Sequence, residues 1–319
     1  MVIGNPPYGF RDVLTQEEKE YFRKVEKIDF SSGDSAELFC KKCFDKLTKE
    51  GGVLTFIIPK KSLYGDSWEG LRVDYWKKYN LLFILDCSKA FDKVLLEASA
   101  FGLQKINQQK SKVKLSYLTK EDNIKEFAST EKNEVITENN TAQIYFAIYP
   151  KDIVKKIKSR KIDEILIVGN LGLAIGRPFY SDEKTEYKLL KGIDVERWRI
   201  KSHRYLKNKD KLNWDHAKQF LKPKVIVQRI VAHIENPVPH IKLMATFDSE
   251  GILITNTLMS FELDTQINPK FWLAYINSTF TSWYAYNFIY ARAIRTIDFY
   301  NFYIQQIPIS KKVLENNNQ

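Results

Sequence analysis

"SAELFCKKCFDKLTKEGGVLTFIIP", residues 35–59, decides the fold. Residues 35–50 predict a helix, and Gly51-Gly52 stop it, because glycine takes the left-handed turn at a helix end at little cost. The next seven residues, "VLTFIIP", are apolar and β-rich with no polar alternation. That is the pattern of a strand covered on both faces, as in a parallel sheet. Upstream, "LTQEEKEYFRKVEKI" (14–28) is also helical, with many i,i+4 charge pairs, and "SSGDS" (31–35) offers several N-caps. Residues 1–4 read as the last turn of a buried strand. Downstream, "WEGLRVDYWKKY" (68–79) predicts a helix and "LLFILDC" (81–87) another buried strand. "ASAFGLQKI" (98–106) and "KVKLSYLT" (112–119) predict two further strands, forming an antiparallel pair. Strands alternating with helices in this way indicate an α/β, doubly wound sheet over residues 1–118.

Residues 119–141 are polar, break the rhythm and predict a linker. Beyond it, residues 142–319 predict a mixed α+β domain. Short β-like runs at 143–149, 164–170, 224–232, 241–248 and 251–263 are spaced by polar loops, and 268–292 reads as one long amphipathic helix. The tail "ENNNQ" predicts a frayed end.

The chain has 319 residues, 44% of them hydrophobic, enough for two domains with real cores. No apolar run is long enough to cross a membrane, and the start lacks a signal peptide. Three cysteines (Cys40, Cys43, Cys87) cannot make a disulfide framework, which suits a reducing cytoplasm. Cys40 and Cys43 fall on one predicted helix with no second pair, so packing accounts for them better than zinc. The four histidines show no metal-ligand spacing. Net charge is +11, and residues 151–243 carry all of it. A neutral part joined to a basic part points to a polyanion partner.

The chain opens "MVIGNPPYGF". Two prolines end the strand, because neither donates a backbone N–H. Ligands of such sheets bind beyond the carboxyl ends of the strands. There the Asn5 amide oxygen and the Pro6 carbonyl are free acceptors, Pro7 stiffens the corner, and Tyr8 offers a flat ring. Two acceptors and a plate suit a planar ligand bearing an NH₂ group, such as a flipped adenine.

"VIGNPPYG" (2–9) resembles the Asn/Asp-Pro-Pro-Tyr/Phe motif of the N6-adenine DNA methyltransferases. Residues 33–63 are similar to the helix, Gly-Gly and "FIVP" strand that follow it in the Eco57I/TaqI-like branch. "ILDCSKAFDKVLLEASAFGLQK" (84–105) resembles the later segment whose aromatic, here Phe91, covers the other face of the flipped adenine. "LLKGIDVERWRI" (189–200) is similar to a stretch of the TaqI-like specificity domain, and 222–230, 274–284 and 304–309 match its later landmarks.

The resemblance implies a partial, Rossmann-like methyltransferase sheet followed by a specificity domain that reads double-stranded DNA. It implies S-adenosyl-L-methionine as cofactor, with Asn5, Pro6, Pro7 and Tyr8 catalytic and Tyr8 and Phe91 on the adenine. Phe39 is the one candidate for the cofactor's own adenine, although core packing is the simpler assignment. In the family the cofactor site precedes the Asn-Pro-Pro-Tyr motif. With four residues ahead of Asn5, the chain is expected to bind the cofactor weakly or not at all alone, and to need an N-terminal half or a separate chain. The alternatives are a non-catalytic DNA-binding specificity fragment and a part of a fused endonuclease–methyltransferase.

In the basic region, Lys191, Arg197, Arg199, Lys201, Arg204, Lys207 and Arg229 are the candidate DNA contacts, interleaved with Trp198 and Tyr205. Lys155, Lys156, Lys158, Arg160 and Lys161 read as a solvated helix end, and the aromatics of 271–290 as core.

Overall fold

The computed structural model describes residues 1–9, 14–88, 96–108, 111–119, 121, 123–136, 159–161, 166–209, 212–263 and 268–310. The expected strand at 143–149, Phe91, Lys155, Lys156, Lys158 and the tail lie outside them. Contacts divide the chain into two units: Met1–Tyr149 with Asn287–Ile294, and Pro150–Tyr286 with Arg295–Gln319.

The first unit holds a six-stranded mixed sheet: β1 (Val2–Gly4), β2 (Val53–Pro59), β3 (Tyr79–Ser88), β4 (Ala98–Asn107), β5 (Lys112–Leu118) and β6 (Ile124–Glu131). Its order is β1-β2-β4-β3-β5-β6. β1 runs parallel to β2, and β3 parallel to β5, while β4 lies antiparallel to both β2 and β3. β4 and β5 are therefore not the adjacent pair that their sequence proximity predicts: β3 lies between them. Glycine permits the close fit of β4 on β3, since a Cβ on Gly102 would lie 2.3 Å from the Phe83 ring. The stretch read as a linker contributes β6, which pairs with β5, and a short helix, Lys132–Val135.

One face of the sheet is fully buried and the other only partly covered, so burial along β2 alternates although its sequence is an unbroken apolar run. Leu54, Phe56 and Ile58 enter one cluster with Leu81, Ile84, Phe101 and Leu103. Ile57 joins the other, with Phe83, Leu85, Cys87, Ala98 and Ala100. Helix α1 (Gln16–Lys24) starts on a Thr15/Glu18 capping box. Helix α2 (Ser35–Lys42) continues as wider turns over Cys43–Leu47, and Gly51, at φ +74°, makes the left-handed turn into β2. The helix expected at 68–79 is shorter, a helical segment at Glu69–Trp76.

The second unit is built on short strands. One four-stranded sheet comprises Leu166–Leu171, Leu258–Leu263, Lys224–Gln228 and Ala245–Asp248; another comprises Leu253–Ile254, Lys188–Leu190, Arg204–Leu206 and Tyr180–Ser181. The single long helix expected at 268–292 is interrupted. Pro269–Ile276 and Thr279–Tyr284 are separate helices. Between them the buried Asn277 side chain pairs with both main-chain groups of Ala245, accepting at 2.8 Å and donating at 2.9 Å, and Ser278 caps the second helix. Of the aromatics read as core, Trp272 and Tyr284 are buried, whereas Phe271, Tyr275, Phe280 and Trp283 are half-buried. Arg160 and Lys161 sit in a strand paired with Pro308–Ser310, not at a helix end. Among the described residues no helix is long and apolar enough to cross a membrane.

Candidate functional site

β1 stops at Gly4, and the chain turns through Asn5-Pro6-Pro7-Tyr8 at its carboxyl end. Pro6 is buried, Tyr8 half-buried, and Asn5 and Pro7 exposed. The start of α2 holds the corner. Ser35 Oγ donates to the Pro7 carbonyl at 2.7 Å, and the Ser35 amide to the Gly9 carbonyl at 3.2 Å. One oxygen of the buried Asp34 carboxylate caps α2 at the Ala36 amide (2.9 Å) and accepts from the Gly9 amide (3.2 Å). A single side chain thus starts a helix and ties the loop to it. Burial pushes the Asp34 carboxyl up, against the pull of those two amides. The sequence names Asp34 as one of several N-caps, but its second hydrogen bond is set by the fold.

Tyr8 packs against the core, and its hydroxyl is buried without a hydrogen-bond partner among the described residues. Burial first, then the nearby Cys87, Asp34 and Cys40, push its phenol up to about 12. Tyr8 therefore stays a neutral aromatic plate at physiological pH. Asn5 makes no hydrogen bond among the described residues, so its amide oxygen is free to accept.

The parallel strands β2 and β3 end at the same edge. Gly4 is in register with Phe56, so Lys60 follows β2 where the Asn5 corner follows β1. Lys60 is 2% exposed. Its ammonium meets Asp86 at 2.8 Å, Glu97 at 3.4 Å and the Arg292 carbonyl at 3.4 Å. Burial opposes its charge, yet the two carboxylates outweigh burial and hold its pKa above the usual lysine value. The other Glu97 oxygen takes the Ile294 amide at 3.0 Å. Nothing in the sequence reading singled out this cluster. Its signal was a lysine set directly after a buried strand.

Phe39 is not in the core. It is 43% exposed on α2, while Cys40 on the same helix is buried and Cys43 half-buried. Among the described residues no group of histidine, cysteine and carboxylate side chains is placed to hold a metal.

The basic candidates separate into two kinds. Arg197 turns inward, to the Leu243 carbonyl (2.9 Å) and Ser282 Oγ (3.3 Å). Arg229 forks onto Asp298 and donates to the Asn256 carbonyl at 2.8 Å. Both arginines thus have partners within the second unit. Arg199 and Lys201 are exposed and share Glu196, at 2.7 and 3.5 Å, and Lys207 is exposed. Lys191 and Arg204 converge on one cavity with Tyr180, and both are organised by the buried Asp194. Asp194 accepts from the Lys191 amide at 2.9 Å, Ser202 Oγ at 2.6 Å and Arg204 Nη1 at 2.7 Å. The Asp of the "LLKGIDVERWRI" stretch is thus an internal anchor.

Comparison with known proteins agrees with both halves of this arrangement. The Eco57I restriction-modification methylase profile matches residues 1–92, and the TaqI-like C-terminal specificity domain profile matches residues 187–309. No curated protein matches the chain. Among solved structures, the type IIL restriction-modification enzyme MmeI in complex with DNA superposes with a TM-score of 0.60 at 10% identity, over 96% of this chain and 45% of that one. A nuclease-deletion mutant of the type ISP enzyme LlaGI, in complex with a DNA substrate mimic, gives 0.54 at 12% identity, over 99% of this chain and 34% of that one. The DrdV–DNA complex gives 0.50 at 13% identity, over 81% and 35%. The chain thus spans less than half the length of each of these chains. Residues 1–92 thus resemble the Eco57I restriction-modification methylase, and residues 187–309 the TaqI-like C-terminal specificity domain.

Proposed function

We infer that the chain carries the adenine-holding and DNA-reading parts of a DNA adenine-N6 methyltransferase of a restriction-modification system. The observation that carries this reading is the pinned corner at the end of β1: an exposed Asn5 amide, a stiff Pro6-Pro7 turn and the wedged, neutral ring of Tyr8. Duplex DNA is the partner, read by the specificity domain.

Adenine N6 is a poor nucleophile because its lone pair is delocalised into the ring. Hydrogen bonds from N6–H to the Asn5 amide oxygen and the Pro6 carbonyl localise that pair. They also stabilise positive charge developing at N6, as preorganised dipoles do. Tyr8 stacks on the ring and fixes its approach, with Phe91 assigned to the opposite face. An amide oxygen is not a base at neutral pH, so Asn5 acts as a dipole and not as a proton acceptor.

S-adenosyl-L-methionine supplies the electrophilic methyl group in such enzymes, and the described residues fit only part of it. Phe39 presents an exposed ring suited to its adenine. The carboxylates on the same helix are already engaged, Asp34 by two amides and Glu37 by Lys41 at 3.0 Å.

The test is transfer of a radiolabelled methyl group to duplex DNA by the protein together with an N-terminal half that supplies the cofactor site. Label is expected at adenine N6. Asn5→Ala should cut transfer by about a hundredfold or more while leaving DNA affinity intact. Label on cytosine, or undiminished transfer by the variant, would refute the assignment.

A further inference from the structure

A cavity of about 350 Å³ in the second unit is lined by Arg177, Tyr180, Ser181, Asp182, Lys191 and Arg204. Three cations meet there from three separate places in the chain. Lys191 Nζ lies 4.7 Å over the Tyr180 ring and donates to the Tyr180 hydroxyl at 2.9 Å. No carboxylate among the described residues meets that ammonium. Arg204 is held from behind by the buried Asp194 through Nη1 alone, so it keeps further N–H donors for a ligand. Arg177 is exposed and makes no ion pair among the described residues. The only opposing charge on the lining is Asp182. Its side chain is 97% exposed and 4.0 Å from Arg204 Nε, a solvent-screened contact of small worth.

Guanidinium forks beside a lysine ammonium and a hydroxyl form a donor set matched to a tetrahedral oxyanion. The cavity is larger than one phosphate group, so it has room for a flanking sugar. It also sits within the part of the chain that carries the whole net charge of +11. We propose that Arg177, Lys191, Arg204 and the Tyr180 hydroxyl form a clamp for one phosphodiester of the DNA backbone, with Asp182 as the carboxylate displaced on binding. This rests on the DNA-reading role assigned to the domain and adds Arg177, Tyr180 and Asp182 to its binding residues. The clamp fixes register on the duplex and reads no base.

Full-length protein and duplex DNA are titrated by fluorescence anisotropy from about 50 to 200 mM salt. The double variant Arg177→Gln/Lys191→Met should lower the slope of log affinity against log salt by about 0.9, one phosphate's worth. It should weaken all duplex sequences alike, by on the order of tenfold. Asp182→Asn should tighten binding, because it removes the competing carboxylate. An unchanged slope in the double variant, with its melting temperature intact, overturns the clamp, as does weaker binding by Asp182→Asn. Calorimetry with inorganic phosphate judges the pocket separately: weak binding lost in the double variant supports it. Micromolar binding of free phosphate assigns the pocket to a small ligand and overturns the backbone assignment. If the wild-type protein binds no duplex, the DNA-reading role fails, and the phosphate titration still decides whether the pocket is an anion site.

Discussion

Tyr8 borders the proposed site with one end and packs into the fold with the other. Its ring borders the Asn5 corner, while its hydroxyl is buried near Cys87, Asp34 and Cys40 with nothing described to bond to. A buried hydroxyl without a partner costs free energy, so Tyr8→Phe is expected to raise stability by about 1 kcal/mol at neutral pH. The sign of the alkaline effect follows from the raised pKa. The unfolded phenol ionises near its ordinary value of 10, and the folded one only at about 12. Wild-type stability should therefore hold below pH 10 and fall as pH rises through 12. The variant has no phenol there, so denaturant titrations across that range should show a shallower decline for Tyr8→Phe. An equal decline in both proteins would mean that the hydroxyl is not buried as described.

Lys105 does comparable work for an element. From β4 it donates to the Phe44, Asp45 and Thr48 carbonyls, each at 3.0 Å, at the carboxyl end of the turns that extend α2. A cation there also complements the helix dipole. Lys105→Met keeps the stem and removes the donors, and is expected to cost about 1–3 kcal/mol in urea denaturation. No sequence pattern announced this contact, because it joins residues sixty positions apart. The local signals were read correctly: the Gly51 stop, the N-cap offered by 31–35 and the apolar run of β2 all depend on neighbours in sequence. The failures share a cause. The expected β4–β5 pair assumed that nearby strands pair, and the polar composition of 124–131 concealed an edge strand that needs only one partner. The long amphipathic run at 268–292 kept its helical periodicity across Asn277, whose side chain is claimed by the main chain of Ala245. The turn after β1 was legible, because two consecutive prolines end a strand locally. The inward turn of Arg197 and Arg229 was not, since composition cannot tell an arginine that meets solvent from one that meets a carbonyl.

At the scale of the molecule, the first unit is not a continuous stretch of chain. Residues 287–294 belong to it, and the Lys60 cluster ties them in through the Arg292 carbonyl and the Ile294 amide. Lys60→Met would leave the buried Glu97 and the half-buried Asp86 without their cation, at 6% and 14% side-chain exposure. The expected cost is about 3–5 kcal/mol. A loss below about 1 kcal/mol in chemical denaturation would show that the cluster is not the tie described. Its position at the edge that bears the Asn5 corner makes stability and site geometry respond together.

The placement of β4 also orders events in time. β2 and β3 share no hydrogen bonds, because β4 fills the space between them with antiparallel pairs to both. During synthesis the ribosome delivers those two strands first, and neither can close the sheet until residue 107 has emerged. Until then each presents unpaired amides and carbonyls beside exposed apolar side chains, the condition in which nascent chains associate wrongly. The strand that joins β2 to β3 is thus also the one on which their escape from misassembly depends.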